Sequence, residues 1–219
     1  MSKRKNWKLI DRIENGKSPI MRKRVRILRP GECKQLIDAI PKPEYKALFR
    51  ALLFTGMRYI ELQRFQKQPS WFDGEFINLP KTSVLKHKRT QLERSVRLNP
   101  LGCMAVEHFL QCKTILPSYQ SWSANLSCWG YRAKLHGAEK YVNVAKKNRP
   151  TEYSCEGLSS KTCRKTYESW LVFYYPNRLT EVLLSQGHDH LTSVKHYLNM
   201  PFNEHDRIDM KDFVEGWID

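Results

Sequence analysis

Residues 55–62, Thr-Gly-Met-Arg-Tyr-Ile-Glu-Leu, lie where one apolar segment ends and another begins. The stretch EYKALFRALLFT at 44–55 predicts a buried helix that Gly56 terminates, and RYIELQRF predicts a second helix that begins near Arg58. Arg58 and Glu61 are three positions apart, so the carboxylate can orient the guanidinium from the same helix face. The segment by itself is also typical of a surface Arg–Glu pair after a tight turn. Whether Arg58 is a functional residue or part of a surface ion pair therefore depends on which other residues the chain provides.

The flanking segments predict a mostly helical chain with a small antiparallel sheet. Pro30 suits the first turn of a helix over 30–37, and prolines end it. Residues 76–79 and 94–98 predict the arms of a β-hairpin with a long lysine-rich connection, whereas the polar segment 137–157 is expected to be a loop. After Pro100, helical spacing of apolar residues recurs at roughly 101–113, 122–136, 159–174, 178–186, 190–199 and 204–217. The predicted fold class is therefore α+β, mostly α-helical with a small antiparallel β-hairpin.

The charge of the chain indicates a polyanionic partner. Its 219 residues contain 38 Lys and Arg against 22 acids, a formal net charge of +16, and a length that favours one core with a small appendage. Residues 1–29 hold eleven of the basic residues and two acids. Trp7, Ile10 and Ile13 follow Asn6 at helical spacing and predict a short amphipathic helix in this basic arm, with a solvated, disordered tail as the alternative. Nucleic acid is the leading candidate for the partner.

The cysteines and the apolar runs argue against a zinc protein, a secreted protein and a membrane protein. None of the six cysteines belongs to a C-x-x-C pair that could seed a zinc site, and reduced thiols are expected. No apolar run is long enough to cross a membrane, and the first residues lack the apolar core of a signal peptide. We therefore expect a soluble intracellular protein without a metal or a membrane partner.

Two further segments carry chemistry that suits a phosphate. Lys161 and Arg164 are three positions apart at the start of a predicted helix, where two cations on one face favour an anion, although a solvated basic face is the alternative. Gly187-His188 is followed by Tyr197 after nine residues. Histidine can exchange a proton at neutral pH, and a tyrosine oxygen becomes a nucleophile when cations stabilise it. Each segment alone would be unremarkable, and the ordered set is what points to an active site.

The ordered set resembles the tyrosine recombinases, the family of phage, archaeal and chromosomal integrases. The family pattern is T-G-x-R-x-x-E-L, then a hairpin lysine, H-x-x-R on a helix, and L-G-H with a tyrosine nine residues later; Arg164 here precedes His188 by 24 residues. The resemblance covers roughly residues 28–200 and implies the recombinase catalytic fold. It also implies that Tyr197 attacks a DNA phosphate while Arg58 and Arg164 clamp the phosphate oxygens, which needs no cofactor.

The resemblance assigns supporting roles to other residues. His188 would assist proton transfer, Glu61 would hold Arg58, and a lysine in the hairpin would protonate the leaving oxygen. Lys161 stands where the family usually has histidine, a replacement associated with archaeal viral and plasmid integrases. Three lysines compete for the hairpin role: Lys88 is favoured because the following R-x-V-x-L strand fits the family, and Lys81 and Lys86 are then phosphate contacts.

The expected organisation is a basic arm at 1–29, a catalytic domain at 30–200 and an acidic tail helix at 201–219. Arg22, Lys23 and Arg24 in the arm are candidate DNA contacts, and either the arm or another protein is expected to replace the family's N-terminal DNA-clamping domain. The tail is expected either to join neighbouring protomers or to pack on its own domain.

These features favour an integrase of a mobile element that acts as a dimer to tetramer on double-stranded DNA, in the cytoplasm and nucleoid of a prokaryotic host. The alternatives are a topoisomerase-like nicking-closing enzyme and a non-catalytic DNA-binding protein with the same fold.

Overall fold

The computed structural model describes residues 7–81, 93–113, 115–187 and 200–218. In chain order, the elements of this part are β1 (Trp7–Ile13), β2 (Ile20–Arg22), β3 (Val25–Ile27), α1 (Pro30–Ala39), α2 (Pro43–Thr55), α3 (Tyr59–Lys67), β4 (Phe76–Leu79), β5 (Arg94–Arg97), α4 (Pro100–Gln111), α5 (Tyr119–Arg132), β6 (Ala138–Asn143), β7 (Thr151–Cys155), α6 (Thr162–Tyr174), α7 (Leu179–Ser185) and α8 (Glu204–Val214). Short 3-10 turns lie at Pro69–Trp71 and Pro176–Arg178. Unit 1 comprises Met1–Pro41 with Pro117–Thr162, and unit 2 comprises Lys42–Leu116 with Cys163–Asp219.

Unit 1 is built on an antiparallel sheet of three strands in the order β1-β6-β7. Helix α5 packs on β6 and β7, and α1 packs on α5. Trp122 and Trp129 of α5 lie on the buried side and meet edge to face, with ring centroids 5.4 Å apart. A separate two-stranded hairpin, β2-β3, contributes buried Ile20 and Ile27. The core of unit 1 is therefore assembled from segments more than 100 residues apart.

Two expectations about unit 1 were wrong. Trp7–Ile13 forms a strand and not the short amphipathic helix, because it pairs along β6 and the Trp7 ring packs edge-on against Tyr141 at 6.0 Å. A seven-residue helix is too short to be stable alone, so long-range pairing prevails. Segment 137–157 is not simply a loop, since β6 and β7 lie within it and pair with each other. Both strands are only half-buried and carry many polar side chains, so their sequence lacks the apolar pattern that would predict a strand.

Unit 2 contains most of the helices. Helix α2 packs against α4, and both contribute fully buried apolar residues such as Leu52 and Phe109. Strands β4 and β5 pair antiparallel in the register Phe76↔Arg97 to Leu79↔Arg94, which confirms the predicted hairpin arms. The predicted helix at 190–199 lies outside the described residues. The mostly helical α+β class expected from the sequence is confirmed, with about 51% of the described residues in helices.

The acidic tail packs on its own unit. The ring centroids of Phe213 and Trp170 lie 4.9 Å apart. Trp217 is 1% exposed and donates its indole N–H to the carbonyl of Arg97 at 3.0 Å. The side chain of Asn99 donates to the carbonyl of Phe213 at 2.9 Å. Of the two roles considered for the tail, the structure shows the second, a helix that completes its own core.

All six cysteines lie in the described part of the chain as free thiols. Burial is the main reason that the pKa of Cys155 is raised to about 11 and that of Cys163 to about 12. Both thiols are therefore protonated at neutral pH and act as small apolar side chains. Among the helices that the structure describes, none is long and apolar enough to cross a membrane.

Candidate active site

The turn between α2 and α3 places Arg58. Helix α2 ends at Gly56 with φ +58°, a left-handed conformation that favours glycine, and a Cβ atom there would lie 2.2 Å from the Gln186 side-chain oxygen, so that side chain would have to shift. Arg58 is then the N-cap of α3, and Glu61 lies in its first turn. The Arg58 backbone N–H donates to Glu61 Oε2 at 2.8 Å, and Arg58 Nη1 donates to Oε1 at 2.5 Å. The helix start thus fixes the carboxylate and the guanidinium together.

Arg94 on β5 is the second arginine on this carboxylate. Its Nη1 and Nη2 donate to Glu61 Oε1 and Oε2 at 3.2 and 2.9 Å, and its Nε donates to the carbonyl of Ser185 at 3.2 Å. Gly187, at φ +67°, makes room for it, since a Cβ there would lie 2.7 Å from Arg94 Cδ. The sequence does not identify Arg94 as a site residue: it is the first residue of the R-x-V-x-L pattern that favours Lys88, and no motif marks it further.

Arg164 on α6 is the third arginine of the group. Its Nη1 donates to the carbonyl of Gly56 at 2.9 Å, its Nη2 donates to the carbonyl of Gln186, and its Nη1 lies 3.9 Å from Glu61 Oε2. The side chain is 10% exposed. Two backbone carbonyls therefore orient this guanidinium, and its place depends on both glycine-containing turns.

We call Arg58, Glu61, Arg94 and Arg164 the arginine cluster. Burial favours the protonated form of Glu61, but the hydrogen bond and charge of Arg94, with the charges of Arg164 and Arg58, lower its pKa to about 2. Burial, with repulsion from Arg94 and Arg58, lowers the pKa of Arg164 to about 10, so it is still charged at neutral pH.

Three arginines thus surround the single carboxylate of Glu61, and the negative charge of Glu168 also raises the pKa of Arg164. The positive charges exceed the negative ones, and the Arg58 side chain is half-exposed. The arginine cluster can therefore accept an anion from solvent at Arg58.

The sequence-predicted site residues have different places in the structure. Arg58, Glu61 and Arg164 are brought together in unit 2. Lys161 belongs to unit 1, is exposed, and immediately precedes α6, and Lys81 is exposed after β4. Arg22, Lys23 and Arg24 lie in the β2-β3 hairpin. The remaining candidates, Lys86, Lys88, His188 and Tyr197, lie outside the described residues.

Comparison with known proteins links this geometry to one fold. Neither a family model nor a curated protein matches the sequence. Among solved structures, that of XerA recombinase matches with a TM-score of 0.55 and 16% identity over 86% of this chain. The XerH site-specific recombinase, solved with palindromic difH substrate as a post-cleavage complex, matches with a TM-score of 0.52 and 14% identity over 87% of this chain. The chain spans about 65% and 53% of the length of these two proteins. The protein therefore has the catalytic-domain fold of the tyrosine recombinases.

Proposed function

We propose that this protein is a site-specific DNA recombinase that cuts and rejoins strands through a tyrosine. The observation that carries the proposal is the arginine cluster, in which three guanidinium groups gather around one buried carboxylate and Arg58 faces solvent. A phosphodiester that turns into a pentacovalent transition state gains negative charge on its non-bridging oxygens, and oriented guanidinium groups stabilise that charge. The fold shared with XerA and XerH supports the same conclusion.

In the proposed reaction the phenolic oxygen of Tyr197 attacks a backbone phosphorus. A 3′-phosphotyrosyl bond forms as the bond to the 5′ oxygen breaks, and a hairpin lysine, with Lys88 favoured over Lys81 and Lys86, gives its proton to that oxygen. Arg58 and Arg164 hold the non-bridging oxygens, and His188 accepts the phenolic proton or hydrogen-bonds the phosphate. Attack by the 5′ hydroxyl of another strand reverses the step and releases the tyrosine.

Glu61 and Arg94 act on this reaction through the other arginines. Glu61 fixes Arg58 by two hydrogen bonds and is itself held by two from Arg94. Because all of these contacts are made by groups of the protein itself, they orient the guanidinium of Arg58 independently of the substrate. Such preorganisation avoids the cost of reorienting dipoles during the reaction.

The partner is double-stranded DNA with a specific recombination site, and the net charge of +16 supports it. We propose that a dimer to tetramer assembles on this DNA inside a prokaryotic cell, and that the reaction integrates or excises a mobile element of the archaeal viral or plasmid type. The lysine at position 161 supports that last assignment.

The test is incubation with nicked suicide duplexes that carry candidate attachment sites, scored for a protein–DNA complex that survives denaturation. We expect wild type to form it. Arg58→Lys serves as the matched variant, since it keeps the charge but loses the two-pronged contact, and we expect it to form much less. Failure of wild type on every duplex that it binds would favour a non-catalytic DNA-binding protein. An adduct without joining of two marked sites would favour a nicking-closing enzyme.

Cleavage is expected to survive EDTA. The arginine cluster supplies at the phosphate the positive charge that a metal-dependent nuclease takes from Mg²⁺. The measurement is the yield of covalent complex with and without excess EDTA, beside a Mg²⁺-dependent nuclease on the same duplex as the control. Loss of the complex in EDTA and its return with Mg²⁺ would contradict the mechanism.

Lys161 is expected to act as a charged phosphate ligand. Lys161→Ala should impair cleavage, whereas Lys161→His should keep part of the activity and lose it as the pH rises past the ordinary histidine pKa of about 6.5, because the imidazole then loses its charge. Cleavage rates of both variants between about pH 6 and pH 8.5 test this. If Lys161→Ala equals wild type at every pH, Lys161 is only an exposed residue before α6.

A further inference from the structure

The β2-β3 hairpin of unit 1 has an unusual tip. Its strands pair Arg22 with Val25, so that Lys23 and Arg24 form a two-residue turn. Both have positive φ, +45° and +62°, which is the signature of a type I′ turn. Asn-Gly and Asp-Gly are favoured there, because in the left-handed conformation the Cβ atom of most residues lies too close to the following carbonyl oxygen, whereas glycine has no Cβ atom and Asn or Asp can compensate by a local hydrogen bond. The chain therefore places two cations at a position where neither is favoured.

The base of the hairpin is fixed. The backbone N–H of Arg26 donates to the carbonyl of Gly157 at 2.8 Å, and its buried side chain donates to the carbonyl of His136 at 2.8 Å and pairs with Glu32 at 2.5 Å. Gly157 is needed for this close approach, since its φ is +67° and a Cβ would lie 2.8 Å from the Arg26 nitrogen. The turn at the tip is consequently presented on a rigid support.

The tip itself is exposed and positively charged. Lys23 and Arg24 are both exposed, and neither has an ion-pair partner among residues 7–81, 93–113, 115–187 and 200–218. Arg22 adds a third consecutive cation, and Lys17 is the nearest charged residue before it. Strained backbone conformations persist where the surrounding structure over-determines them, and they cluster at functional sites. The charge and the strain thus occur at the same two residues.

We propose that the Lys23–Arg24 turn of unit 1 is a preformed contact for the phosphates of duplex DNA, whereas the arginine cluster belongs to unit 2. The inference rests on the proposed function, which provides DNA as the polyanion. Lysine supplies a compact charge and arginine a planar fork, and both bind phosphate oxygens. Because the backbone of the turn is already ordered, binding costs little backbone conformational entropy, and only the two side chains have to be immobilised. The contact reads the backbone and no base sequence.

The turn sequence allows a variant in which stability and DNA binding change in opposite directions. Lys23→Asn/Arg24→Gly installs the favoured type I′ pair and removes both charges. We expect its thermal midpoint to rise by roughly 2–4 °C through relief of strain. Its affinity for duplex DNA should fall roughly 10- to 60-fold at 0.1 M salt, and the log–log salt slope should be less steep by about 1.8, as for two lost phosphate contacts.

The matched control is Lys146→Asn/Lys147→Asn, which removes two exposed cations from another loop of unit 1. A smaller loss of affinity than in the turn variant supports the proposal. Equal losses in both variants, or unchanged affinity in a turn variant that folds, would overturn it. The covalent-complex assay on wild type separates the two proposals: wild type that binds DNA but forms no adduct contradicts the recombinase function and leaves the phosphate contact standing.

Discussion

Tyr197→Phe is expected to bind DNA as wild type does and to form no covalent complex. The ring is kept and only the phenolic oxygen is removed, so contacts made by the ring are preserved while the nucleophile is lost. We expect the yield of adduct on suicide DNA to fall by roughly a thousandfold or more, since loss of a nucleophile leaves only residual catalysis. Binding is measured by anisotropy and the adduct by a denaturing gel on the same samples.

Tyr119→Phe is a suitable control, because Tyr119 lies on α5 of unit 1 and is 50% exposed. It should form the adduct at the wild-type rate. An adduct in Tyr197→Phe, mapped by peptide sequencing to another residue, would show that the nine-residue spacing from His188 identifies the wrong tyrosine.

The elements that the sequence predicts best are those with local signals. Helix α2 is apolar along its length and stops at a glycine, and the hairpin arms β4 and β5 alternate buried and exposed residues. Strand β1 has no such signal: its pairing partners lie on β6, more than 120 residues away, and six of its seven residues are exposed. The apolar spacing of Trp7, Ile10 and Ile13 predicts a helix, because the sequence of this segment contains no information about its partner strand.

In the candidate site, too, local contacts can be predicted from the sequence and long-range contacts cannot. The Arg58–Glu61 contact lies within one helix turn and can be predicted from spacing. The orientation of Arg164 cannot, because its hydrogen-bond acceptors are carbonyl groups of Gly56 and Gln186 in other parts of unit 2. Arg94 was missed for a related reason, since a strand arginine that follows a lysine-rich connection looks like another DNA contact until its bidentate bond to Glu61 is seen.

The pH dependence of stability should follow the protonation of Glu61. Its pKa is about 2 in the folded protein against an ordinary value of 4.5, so the ionised form is stabilised by folding. That stabilisation is fully present above about pH 5 and disappears as the pH falls through 4.5 towards 2. The shift corresponds to roughly 3 kcal/mol of unfolding free energy. Urea unfolding between about pH 7 and pH 3 should show this decline in wild type.

Glu61→Gln should remove both this pH dependence and the cleavage activity. The amide keeps the shape of the side chain but takes the ion-pair partner away from buried Arg94 and the nearby negative charge of Glu61 away from Arg164, and breaking a buried ion pair in this way costs about 3–5 kcal/mol. The difference in unfolding free energy between wild type and variant should be largest at neutral pH and shrink as the pH falls, because protonated Glu61 is as neutral as glutamine.

Glu107→Gln, an exposed change on α4, is the control and should follow wild type. A Glu61→Gln variant with wild-type stability at pH 7 would mean that the three arginines do not depend on this carboxylate, and Arg58 would then have to be oriented by the phosphate itself.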